Sequence, residues 1–149
     1  MTLLVFLVAF AIFCVRSNSG YWLLVLPGTI VHESLHYFTG KLLFAGPQTF
    51  NIVPQHHENG TCYGSVDFDN LNEFNAPPTA LAPLLGVPLV YYVWPYLQTT
   101  QNGWAQIAII WALAAIVAQS WPSSTDWAVA LKHPLGLVLW TVFIGWILL

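Results

Sequence analysis

Three stretches of 18 residues, 21–38, 80–97 and 104–121, contain no Lys or Arg, and apolar residues dominate each of them. At about 1.5 Å per residue, a helix of that length approaches the roughly 30 Å of a bilayer's hydrocarbon layer. Two further apolar runs, Thr2–Val15 and Pro134–Leu149, stand at either end of the chain. A water-exposed surface needs charge, yet only 6% of the 149 residues are Asp, Glu, Lys or Arg, against roughly 25% in a soluble domain. Eight Trp, six Tyr and nine Phe would also have to find a buried place. The pattern predicts an all-α integral membrane protein, with about five transmembrane segments in one bundle and a single domain over residues 1–149.

The first run opens with Met-Thr, without a basic residue, and no small-x-small cleavage site follows it, so it reads as a retained anchor and not as a secretory signal. Arg16 can snorkel to the interface, and Ser17–Gly20 supply the turn into the second span. Pro83, Pro88 and Pro95 mark the third span as kinked. The last span starts somewhere between Ser124 and Pro134. Trp94, Trp104, Trp121 and Trp140 are assigned to interface belts and packing.

Between the second and third spans lies the one sizeable polar stretch, Gly46–Thr79, with four of the six acids, Glu58, Asp67, Asp69 and Glu73, and the pair His56-His57. Within it, Thr49–Val53 and Thr61–Phe68 flank a turn-rich segment ending in Asn59-Gly60, the signal of a small β-hairpin. Its edge either pairs with an extended peptide or simply caps the bundle. Asn59-Gly60-Thr61 is also a glycosylation sequon, relevant only on a lumenal face. A net charge of −3 with three scattered cations, Arg16, Lys41 and Lys132, offers no basic stripe and excludes nucleic acid as a partner. Cys14 and Cys62 lack metal-site spacing and are expected to be free thiols.

Inside the second apolar run stands His32-Glu33-Ser34-Leu35-His36, the H-E-x-x-H pattern. Residues i and i+4 share a helix face, so the two imidazoles converge on one Zn²⁺, and Glu33 is placed to take a proton from water. An acid between two histidines is costly in a membrane unless it faces a bundle interior or a wet cavity. The structural alternative, a His-Glu-His cluster tying helices together, would be met more cheaply by hydroxyls or amides. His32 lies roughly 16 Å into the span from Tyr21, deep in the hydrocarbon layer, so water must be led to it.

A catalytic zinc takes three protein ligands and keeps one open position. His56, His57, Glu58, Asp67, Asp69 and Glu73 lie in the polar loop, and His133 sits between Lys132 and Pro134. Asp126 stands apart. Pro122 stops the fourth span, Ser123 or Ser124 can cap a new helix, and an acid in its first turn also suits the helix dipole. Counting crossings puts Asp126 and Lys132 on the Lys41 side of the membrane, where His36 lies. The two lysines against Arg16 place that side in the cytoplasm, with the N-terminus inside, the C-terminus outside and Asn59 unglycosylated.

These residues resemble the site-2 protease superfamily, the zinc metalloproteases that cut peptide bonds in or near the membrane. His32, Glu33 and His36 match its motif, and Ala82-Pro83 after the polar hairpin-like stretch resembles its core order. Pro122-Ser123-Ser124-Thr125-Asp126 is similar to the region that supplies the family's aspartate ligand, with Trp127 where the family usually has Gly. The resemblance implies one Zn²⁺ per chain held by His32, His36 and Asp126, with Glu33 as general base. The implied activity is a membrane-embedded endopeptidase whose substrate is a membrane protein or peptide in extended conformation, within the lipid bilayer. Asn51 and the loop histidines are candidates for stabilising the oxyanion. Two other readings compete: a non-catalytic, zinc-stabilised membrane module that binds partners, and a metal or proton conductor, for which the in-membrane polar groups are too few.

Overall fold

A computed structural model describes residues 2–14, 21–57, 60–97 and 102–149. The Arg16 and Ser17–Gly20 turn and the Glu58 and Asn59 expectations lie outside these residues. The chain is mostly helical: α1 (Thr2–Cys14), α2 (Tyr21–Leu42), α3 (Ala76–Leu81), a 3-10 turn (Ala82–Leu85), α4 (Gly86–Leu97), α5 (Gly103–Gln119), α6 (Ser124–Lys132) and α7 (Pro134–Leu148).

The ends of these helices follow from local chemistry. Asn102 caps α5 through its side-chain oxygen, which accepts from the N–H groups of Trp104 and Ala105. Ser123 and Asp126 form a reciprocal capping box on α6. At the end of α2, the Ala45 N–H bonds back to Gly40 O at 2.7 Å and Phe44 takes a left-handed φ of 58°. This Schellman-type stop turns the chain out of the helix and into the polar stretch. Pro83 opens the 3-10 turn, so the third apolar run is a continuous 22-residue helical stretch, Ala76–Leu97, that tightens in its middle.

Among the described residues, Ala76–Leu97 is the one helical stretch long and apolar enough to cross a membrane, and α5 with α6, bent by 44°, passes as a pair. α2 also has 22 residues, but its polar centre, Thr29 to His36, lowers its hydropathy. α1 and α7 are apolar yet shorter than a full span, at Leu3–Ile12 and Pro134–Ile147.

The strand pair is smaller than the sequence pattern suggests. β1 (Gln55–His57) and β2 (Gly60–Cys62) are antiparallel, with His56 opposite Thr61. Beyond them the ladder continues only as isolated bridges, Asn51 with Ser65 and Pro47 with Phe68. Val53 N donates to the Asn51 side-chain oxygen at 2.9 Å and not to a partner strand, and Thr49–Val53 is not a continuous strand.

α5 is the central element, with α1, α2 and α4 packed around it. The buried cluster is built from Val5, Ala9, Ile12, Val25, Val90, Trp94, Leu113, Ala114 and Ala115. Gly28 lets α2 lie directly on the main chain of α5, since a β-carbon there would overlap the carbonyl of Ala115. The outside is apolar: Leu139, Val142, Phe143 and Trp146 of α7 are exposed, as is Trp104 at 82%. Trp94, by contrast, is packed inside.

Candidate metal centre

α2 passes through the centre of the fold with His32 and His36 one turn apart on the same face. Each ring is fixed by a main-chain carbonyl from a different helix. His32 Nδ1 donates to Gln119 O, at the end of α5, at 2.6 Å, and His36 Nδ1 donates to Thr79 O of α3 at 2.7 Å. A carbonyl only accepts, so both Nδ1 atoms carry a proton, and in the neutral rings the Nε2 atoms are left to present lone pairs.

Those two Nε2 atoms stand 3.1 Å apart. Asp126 completes the group, with Oδ1 at 3.3 Å from His36 Nε2 and Oδ2 at 3.6 Å from His32 Nε2. His36 is buried and His32 and Asp126 are half-buried. With both rings neutral, the Nε2 atoms and the Asp126 carboxylate are electron-pair donors turned toward one another, an arrangement that a cation among them satisfies. A tetrahedral ion with bonds of about 2.0–2.1 Å sets its ligand atoms about 3.3–3.4 Å apart. The Nε2–Nε2 and His36 Nε2–Asp126 Oδ1 separations lie near that edge, and with one atom from each residue all three lie within 4.8 Å of one another, a grouping compatible with a small divalent metal ion.

Asp126 is held by the capping box: its Oδ2 accepts from Ser123 N at 2.6 Å, and its own N–H donates to Ser123 Oγ at 3.2 Å. The two sequence readings of Asp126, a first-turn acid and a candidate ligand, are therefore compatible, since the capping box holds its carboxylate beside the two imidazoles. α6 packs on α3, the helix that orients His36, so Asp126 and Thr79 approach the site on neighbouring elements.

Glu33 is buried at 6% exposure and lines the same cavity as the three ligand residues. Above it lies Gly64, where a β-carbon would come within 2.6 Å of Glu33 Oε1. The cavity measures about 1430 Å³, and its walls include Tyr63–Phe68 on one side and Trp121–Trp127 on the other. Small-molecule pockets run to about 1,000 Å³, so this one has room for several residues of a chain.

The remaining candidate ligands are elsewhere. Asp67 reaches the cavity wall but is exposed, and its Oδ2 accepts from Thr49 Oγ1 at 2.6 Å. Glu73 pairs with His133 at 3.4 Å, far along the chain from the cluster. Asp69 is exposed, and its N–H bonds to Gly46 O in the turn after α2. Asn51 does not line this cavity, and its side-chain oxygen accepts from Val53 N at 2.9 Å. The side chains of His56 and His57 lie outside the described residues. The sequence reading missed Gln119, Thr79 and Gly64. The first two act through main-chain carbonyls and the third through having no side chain, and none of these leaves a residue-type signature. The chain matches no protein-family model, no curated protein and no solved structure.

Proposed function

We propose that this protein is a zinc-dependent endopeptidase embedded in a membrane, with His32, His36 and Asp126 holding one Zn²⁺ and Glu33 serving as general base. The observation that carries the reading is the convergence of His32, His36 and Asp126, whose ligand atoms, one from each residue, lie within 4.8 Å of one another beside a buried glutamate in an open cavity. Zinc, when bound, polarises a carbonyl as a Lewis acid and brings water to nucleophilic strength near neutral pH.

The chain's own residues do the rest. Gln119 and Thr79 hold the two imidazoles in one tautomer, and Ser123 holds Asp126. Glu33 removes a proton from the attacking water at a carboxylate oxygen and returns it to the leaving amine. The scissile bond must be presented extended, because a helix keeps its carbonyls hydrogen-bonded. The length of the cavity and the extended wall at Tyr63–Phe68 suit such a segment.

The membrane setting is supported by the distribution of side chains. Polar groups, Glu33, His36, Thr79 and Asn75, are buried, while Leu, Phe and Trp are exposed along α1, α4 and α7. That arrangement suits a lipid solvent. In this reading the helices form a multi-pass bundle, with the site toward the side of Lys41 and Lys132, the cytoplasmic one by the positive-inside rule.

The test is the zinc content of detergent-purified protein, measured with cleavage of an internally quenched unstructured peptide. The expected result is about one zinc per chain and cleavage in the wild type. Zinc is lost or weakened in His32→Ala and Asp126→Ala, and Glu33→Gln keeps the zinc but does not cleave. A wild type that cannot be loaded with zinc overturns the metal site. A zinc-loaded wild type indistinguishable from Glu33→Gln overturns the hydrolase and leaves the non-catalytic module.

A further inference from the structure

Thr79 sits in the fourth position of α3, is 1% exposed and forms part of the cavity wall together with His32, Glu33, His36 and Asp126. Its backbone is fully used: the N–H donates to Asn75 O at 3.2 Å, and the carbonyl accepts from His36 Nδ1 at 2.7 Å. Its hydroxyl is not used. Oγ1 is shielded from bulk solvent and has no hydrogen-bond partner.

That orphan is unusual in two respects. A threonine inside a helix can bond its hydroxyl back to the carbonyl one turn earlier, as Thr141 does to Leu137 O at 2.7 Å, but Thr79 Oγ1 makes no such bond to Asn75 O. A buried hydroxyl left without a partner is destabilising, and valine would fill the same volume without that penalty. Packing alone therefore favours valine. The hydroxyl is accounted for if its partner is an acceptor that arrives with whatever occupies the cavity.

We propose that the Thr79 Oγ1 hydroxyl donates a hydrogen bond to the carbonyl oxygen of the scissile peptide, which makes it a catalytic residue of the endopeptidase. The inference rests on the hydrolase reading above and names an oxyanion donor on the cavity wall. Water oxygen forms a bond to the carbonyl carbon as Glu33 takes the water proton. The π pair of the carbonyl moves onto its oxygen, where the Thr79 O–H bond strengthens. The pair then returns as the C–N bond breaks and Glu33 delivers the proton to nitrogen. A donor aimed where charge develops contributes mainly in the transition state.

The experiment compares Thr79→Val and Thr79→Ser with the wild type for zinc content, for kcat and KM on the quenched peptide, and for melting temperature without peptide. Both variants keep the backbone carbonyl on His36, so both should hold zinc as the wild type does. Thr79→Val should lose about 10²–10³-fold in kcat with KM little changed. It should also melt no lower than the wild type, because it removes a buried unpaired hydroxyl. Thr79→Ser should retain most of the activity. A Thr79→Val protein that cleaves at the wild-type rate overturns the proposal, as does equal loss in the Ser and Val variants, which would make the overall fit of the side chain responsible instead of its hydroxyl. Loss of zinc in Thr79→Val overturns it as well, by making the side chain part of the metal site's support. A zinc-loaded wild type that does not cleave removes the hydrolase reading and this proposal with it, and is distinguishable because no variant comparison is then needed.

Discussion

Gly64 lies flush against the carboxylate of Glu33: a β-carbon built at Gly64 would stand 2.6 Å from Oε1, 2.7 Å from Cγ and 2.9 Å from Cδ. Real side chains do not approach that closely, so the polar stretch after α2 can cover Glu33 only where it has no side chain. The contact joins the two halves of the site. One is the helix that carries the H-E-x-x-H residues, and the other is the extended wall along which a substrate would lie.

Gly64→Ala should therefore disturb the base without disturbing the metal ligands. Either the Glu33 carboxylate or the wall at Tyr63–Ser65 must shift, and a displacement on the order of 1 Å at a reacting group can cost about 10²-fold in rate. The expected outcome is zinc content equal to the wild type with peptide cleavage reduced by about two orders of magnitude. Equal cleavage by the alanine variant would show that the wall yields freely and that Gly64 does not govern the position of Glu33.

What the sequence disclosed about this site divides by the kind of atom involved. The i, i+4 spacing of His32 and His36 and the Pro122-Ser123 helix start before Asp126 are side-chain patterns, and the structure brings all three residues together. The carbonyls of Gln119 and Thr79 that fix the rings could not be read in advance, because any residue supplies a carbonyl and only the packing of α5 and α3 on α2 selects these two. The helices were legible from apolar runs, and α2 runs on from Phe38 to Leu42. Its end is set by the Ala45 to Gly40 bond and by Phe44 in a left-handed conformation that favours glycine, which no turn-residue signal announces. The strand expectation at Thr49–Val53 overlooked the Asn51 side chain, which takes the Val53 N–H that a ladder would use and leaves only isolated bridges at Asn51 and Pro47.

Ser123 gives a second prediction, because it positions Asp126 through the capping box without facing the metal group itself. Ser123→Ala removes the acceptor for Asp126 N–H and frees the first turn of α6, at a cost of about 0.5–2 kcal/mol in stability. Partners of this kind typically change metal affinity by about 10–100-fold. Zinc affinity measured by competition with a chelator should fall within that range in Ser123→Ala and recover in Ser123→Thr, which restores the oxygen. Unchanged affinity in the alanine variant would mean that α6 is held by its packing on α3 alone.

α7 provides the sharpest test of the solvent that surrounds the bundle. Its attachment is polar and local: Gly136 N donates to Glu73 Oε2 at 3.2 Å, and Trp140 Nε1 donates to Phe74 O at 2.7 Å. Most of its apolar surface, including Val138, Leu139, Val142 and Trp146, is exposed. In water, an aspartate at the middle of such a face would be tolerated and would raise solubility. At the centre of a membrane helix it opposes insertion by about 2.5–3.5 kcal/mol. Val142→Asp should therefore lower the fraction of protein that resists alkaline extraction from membranes, whereas Val142→Leu should not. If the aspartate variant remains as firmly integrated as the wild type, or if the wild type itself is extracted, α7 does not face lipid and the exposed apolar surface must be covered by another partner.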